Sequence, residues 1–135
     1  VILYAAADLI WATKIKATAE ALGLAARPVR TLEMLHARLA DCPEAKSLMV
    51  DLDKGEEGLA LIAALRAYEA ANQAAGQATD QATGQGRRLR VLAWGPHVAK
   101  ELLQAARDAG ADDVLTRGAL EHNMEEVLVK LAGRA

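Results

Sequence analysis

Phenylalanine is missing from this chain, and aromatic residues make up only 3% of its 135 positions. Any core must therefore be built from Leu, Val, Ile and Ala, with the two tryptophans and two tyrosines as rare exceptions. Cysteine occurs once, at Cys42, so no internal disulfide is available. No apolar run reaches the roughly 18 residues of a membrane span, and no signal-peptide pattern is recognisable. The formal net charge of -2 gives no electrostatic reason to expect nucleic acid or an anionic membrane as a partner. A cytoplasmic location is the expectation. The start at Val1 rather than Met leaves room for a module cut from a longer protein.

What is present suits one folded domain: 53% hydrophobic and 25% charged residues, in a length that can bury a core without staples. The exception is about 72–88, where near-repeats of Gln-Ala-Ala-Gly, Gln-Ala-Thr-Asp and Gln-Ala-Thr-Gly offer no core-forming side chains. This composition predicts a flexible low-complexity insertion between the third helix and the fourth strand.

Elsewhere apolar runs alternate with helical patterns. Val1 to Tyr4 reads as a strand, and Asp8 can cap a helix over about Leu9 to Leu22, with Trp11, Ile15, Ala19 and Leu22 at helical spacing and Gly23 as the stop. Ala26 to Arg30 is a second strand, placed at a sheet edge by Pro28, which has no ladder donor. Thr31 can cap a helix bearing the stripe Leu32, Leu35 and Leu39, flanked by His36 as a boundary residue. Ser47 to Asp53 is an apolar run ending in two carboxylates, as a central parallel strand reads. A helix carrying Leu59, Ile62 and Leu65 follows, with Glu56 and Glu57 at the end where negative charge is favoured.

Leu89 to Trp94 gives a fourth strand, followed by Gly95 and by Pro96 at or near the start of a helix whose inner face is Val98, Leu102, Ala105 and Ala109. Val114 to Thr116 and a helix through Leu120, Met124, Val127 and Leu131 complete five strands and five helices. The alternation implies right-handed crossovers and a three-layer α/β/α sandwich of the flavodoxin-like type, with a parallel sheet in the order 2-1-3-4-5. The ends of strands one and three then meet at the switch point. Ala5, Ala6, Ala7, Asp8, Asp51 and Asp53 would gather there, with Gly95 and Thr116 or Arg117 beside them. Trp94 is expected over this alanine-lined pocket, as filler or as a stacking platform.

Three segments resemble a response-regulator receiver domain, over essentially all of the chain except the Gln-Ala insertion. They are Ala5-Ala6-Ala7 followed by Asp8-Leu9-Ile10; Asp51 followed by Gly58 and Leu59; and Ala-Gly-Ala-Asp-Asp-Val-Leu-Thr-Arg from Ala109 to Arg117. The resemblance implies that Asp51 occupies the phosphoacceptor position and that a magnesium ion would be held by an acidic cluster after the first strand. That cluster is alanine here. The family's hydroxyl residue after strand four aligns with Gly95, its lysine with Arg117, and the proline after that lysine with Gly118.

A degenerate, pseudo-receiver type is therefore expected: no catalytic residue, no metal, no cofactor, and Asp51 as a vestigial phosphoacceptor paired with Arg117. Its work would be phosphorylation-independent signalling or protein interaction, with a protein partner or a homodimer formed through the fourth helix, fifth strand and fifth helix. The alternatives are a small-ligand or nucleotide-binding module, for which no Gly-rich phosphate loop is found, an active phosphoacceptor receiver, and an enzyme using His97 beside Asp51.

Overall fold

The computed structural model describes residues 1–74 and 88–133. Its elements are β1 (Ile2–Ala5), α1 (Leu9–Ala21), β2 (Ala26–Pro28), α2 (Leu32–Asp41), β3 (Ser47–Asp51), a 3-10 turn (Leu52–Lys54), α3 (Glu56–Ala74), β4 (Arg90–Gly95), α4 (Lys100–Ala109), β5 (Asp113–Thr116), α5 (Arg117–His122) and α6 (Met124–Leu131). All strand pairs are parallel, and the order is β2-β1-β3-β4-β5, as the alternation predicts. The expected insertion at about 72–88 falls mostly outside the described residues; its first residues continue α3.

Successive strand side chains point to opposite faces, and this period of two divides the core. Leu3, Ala5, Leu48, Val50, Val91 and Ala93 pack on one face, against Leu35 and Leu39 of α2, Leu61, Ile62 and Leu65 of α3, and Ala106 of α4. Ile2, Tyr4, Met49, Leu92 and Trp94 pack on the other, against Trp11, Ile15 and Ala19 of α1 and Leu120, Met124, Leu128 and Leu131 of the last two helices. Burying each of the larger side chains contributes about 1.5–3 kcal/mol.

The anticipated helix caps are in place. Asp8 accepts from the Trp11 N–H at 2.9 Å, and Thr31 from the Met34 N–H at 3.1 Å. Strand β2 is one of the two edge strands, as Pro28 requires.

Three expectations fail locally. The fourth helix does not start near Pro96. The Ala99 N–H donates to the Pro96 carbonyl at 3.0 Å, closing a separate turn, so α4 begins only at Lys100 and Val98 faces solvent at 74% exposure. The last helix is two helices, because Asn123 leaves helical geometry (φ -116°, ψ 22°) and its side-chain amide donates to the Ala119 carbonyl at 3.1 Å. Leu32 opens α2 at 42% exposure, outside the buried stripe.

The two tryptophans pack together, with ring centroids 5.6 Å apart at an interplanar angle of 50°. Trp94→Ala should therefore lower unfolding free energy by about 3–5 kcal/mol in a denaturant titration. Val98→Ser should change it by less than about 0.5 kcal/mol.

Candidate functional site

Strand β3 delivers Asp51 to the carboxyl end of the sheet. Its partner on β4 is Trp94, and on the other side Val50 is in register with Ala5. Asp51 stands at the switch point between β1 and β3, as expected, but it is buried there, 0% exposed. Both carboxylate oxygens are occupied by the backbone. Oδ2 accepts from the Ala7 N–H at 2.9 Å, and Oδ1 from the Asp53 N–H at 3.0 Å. The second bond makes Asp51 the cap of the 3-10 turn. Burial pushes the Asp51 carboxyl above its ordinary value; the two N–H donors pull it down, the nearby Asp53 carboxylate adds to the rise, and the charge of Arg117 opposes it slightly.

The other candidates are only partly brought together. Ala5 is buried in the cluster on the opposite face of the sheet, Ala6 packs against the tryptophan side, and Ala7 is exposed and contributes its backbone. The Asp8 carboxylate is engaged as the cap of α1.

Arg117 does not pair with Asp51. It forms an ion pair with Asp53 at the solvent-facing rim, where the two side chains are 38% and 41% exposed. The physical reason is access: Asp51 is buried at the end of β3 with a backbone N–H on each oxygen, whereas Asp53 projects from the turn to the rim. The Arg117 Nε is buried without a hydrogen-bond partner among the described residues. Thr116 caps α5, accepting from the Ala119 N–H at 3.2 Å.

Trp94 is 0% exposed and packed on Trp11, which rules out a platform for a bound ring and leaves the filler role. Gly95 turns away from Asp51: a Cβ there would meet the Leu52 Cβ at 3.2 Å and lie 3.7 Å from Leu103 Cδ2. His97 is exposed in the turn before α4 and makes no hydrogen bond or ion pair among the described residues. None of the described residues forms a group of three His, Cys, Asp or Glu able to hold a metal ion.

The two backbone donors to Asp51 were not anticipated from the sequence. The Asp53 donor had a faint signal, since an Asp side chain often accepts from the N–H two residues on. The Ala7 donor, 44 residues away, had none.

No protein-family model and no curated protein matches the chain. Solved structures do. A response regulator from Thermotoga maritima is 18% identical with a TM-score of 0.65, covering 98% of this chain and 96% of that one. The receiver domain of a sensor histidine kinase from Pseudomonas aeruginosa PAO1, with a magnesium ion coordinated in its active-site cleft, is 17% identical with a TM-score of 0.64, over 98% and 96%. A chain of the Saccharomyces cerevisiae co-crystal of a histidine phosphotransfer protein and the receiver domain of its downstream response regulator is 12% identical with a TM-score of 0.75, over 98% and 88%. The chain has the fold of response-regulator receiver domains.

Two outcomes follow from the site. In a carboxyl carbon NMR titration, Asp51 should titrate above the ordinary Asp value, whereas Asp112, which accepts from the Val91 N–H and faces Arg66 and Arg88, should titrate below it. The raised pKa of Asp51 favours folding most below its unfolded-state pKa, and that contribution fades as pH rises through the folded value. For Asp112 the sign is reversed, with stability present above the unfolded pKa and lost as pH falls through the depressed one. A double-mutant cycle of Asp53→Asn and Arg117→Gln should give a coupling of only about 0.2–1 kcal/mol, weakened further by salt, because the pair is well exposed.

Proposed function

Given that fold, we propose that the protein is a receiver-like signalling and protein-interaction module that works without phosphorylation of Asp51. The observation that carries this reading is the state of the Asp51 carboxylate: fully buried, with each oxygen already accepting a backbone N–H. A phosphoacceptor has to present an oxygen to the incoming phosphorus and to a charge-neutralising cation.

The surrounding donor set does not fit a magnesium ion. Ala5, Ala6 and Ala7 bring no carboxylate, Asp8 caps α1, and Asp53 is turned to the rim, where it pairs with Arg117. Gly95 supplies no hydroxyl, and a side chain there would start in tight contact with Leu52. Among the described residues no acidic or basic side chain hydrogen-bonds Asp51, and catalysis is not part of the reading. Recognition by a protein partner, or self-association through α4, β5 and the last helical stretch, α5 with α6, would transmit the signal. No helix among the described residues is long and apolar enough to cross a membrane, and a cytoplasmic location is part of the reading.

Incubation with Mg²⁺ and acetyl phosphate, followed by intact-mass analysis, should show no gain of a phosphoryl group. Stoichiometric modification that disappears in Asp51→Asn would overturn the proposal and establish an active phosphoacceptor.

A further inference from the structure

A groove of about 630 Å³ runs between α1 and the edge strand β2, with Ala6, Ala7 and Asp8 of the β1–α1 connection in its lining. Tyr4, Ala12 and Pro28 give it apolar walls, and three cationic residues from separate elements line it: Lys16 of α1, Arg30 just after β2, and Lys54 of the 3-10 turn. The lining carboxylate is Asp8, whose Oδ1 caps α1.

The charges are poorly neutralised by the protein itself. Lys16 and Arg30 make no ion pair or hydrogen bond among the described residues. Lys54, whose side chain is only 14% exposed, is paired with Glu57 at 3.1 Å, so its charge is partly met, although Glu57 itself is 59% exposed. Glu20 lies near enough to act on Tyr4 yet does not line the groove. Three cations facing one concavity repel one another, and an anion that enters relieves the repulsion.

The volume lies within the range of about 300–1,000 Å³ usual for small-molecule sites and is too small for a folded partner. A guanidinium fork with two ammonium groups suits the several oxygens of a phosphate chain, while apolar walls suit a flat organic body. We propose that this groove binds a small organic phosphate of the nucleoside diphosphate kind, with Arg30, Lys16 and Lys54 receiving the phosphate oxygens. The site is independent of phosphotransfer at Asp51, so either proposal can fail without the other.

Calorimetric titration of the full chain with ADP tests it, with pyrophosphate and adenosine as the two halves of the ligand. ADP should bind saturably and raise the melting temperature with concentration, pyrophosphate should bind more weakly, and adenosine should bind least. Arg30→Gln and Lys16→Gln should each weaken ADP binding by about tenfold or more, since each removes a charge-assisted hydrogen bond, whereas Lys100→Gln on α4 should leave it unchanged. Absence of saturable ADP binding at millimolar concentration would overturn the proposal. So would binding that is insensitive to Arg30→Gln and Lys16→Gln, or that is weakened equally by Lys100→Gln, which would indicate diffuse charge attraction.

Discussion

A carboxylate enclosed in the middle of a parallel sheet has to be answered by donors, because leaving it bare in an apolar interior costs several kcal/mol. Here the answer is two backbone N–H groups, from Ala7 and Asp53, and much of the local architecture depends on them. The bond to Ala7 ties the connection after β1 to the end of β3. The bond to Asp53 bends the chain after β3 into its 3-10 turn, which places Leu52 in the core under Gly95 and swings the Asp53 side chain outward to Arg117. One buried group thus fixes the course of two connections and, through Asp53, draws the start of α5 toward them.

The same arrangement separates address from chemistry. Strand order sets where a functional side chain will stand, and β3 places Asp51 at the position where open α/β sheets carry their sites. Whether that side chain reacts depends on what occupies its lone pairs and on what reaches it. Backbone amides hold the oxygens, and the guanidinium of Arg117 is diverted to a neighbouring carboxylate at the rim. A receiver fold is compatible with both a reactive and a quiet aspartate, so the fold alone does not decide between them.

Much of the fold could be read from residues whose effect is local. Asp8 and Thr31 cap their helices because a short acceptor at that position satisfies the N–H groups of the first turn. Pro28 places β2 at the edge because it lacks an N–H. Strand order and core composition follow from periodicity. The failures lie where the outcome depends on partners distant in sequence or on backbone groups, which leave no mark on residue patterns. The donor from Ala7 and the choice of Asp53 over Asp51 by Arg117 are of this kind. The late start of α4 and the break at Asn123 arise from local hydrogen bonds that compete with the helix, so an apolar stripe alone overestimated its continuity.

The packing of Trp11 on Trp94 has a practical consequence. These are the chain's only two tryptophans, and Trp94 sits opposite Asp51 in the sheet register. The intrinsic emission of the protein therefore originates almost entirely from one spot beneath the site, with two indoles close enough to couple electronically. Any event that loosens the end of β3 or shifts the start of α1 would register in that signal without an added dye. The scarcity of aromatic residues, which constrains how the core is filled, leaves the protein with a built-in optical probe at the place where its chemistry is in question.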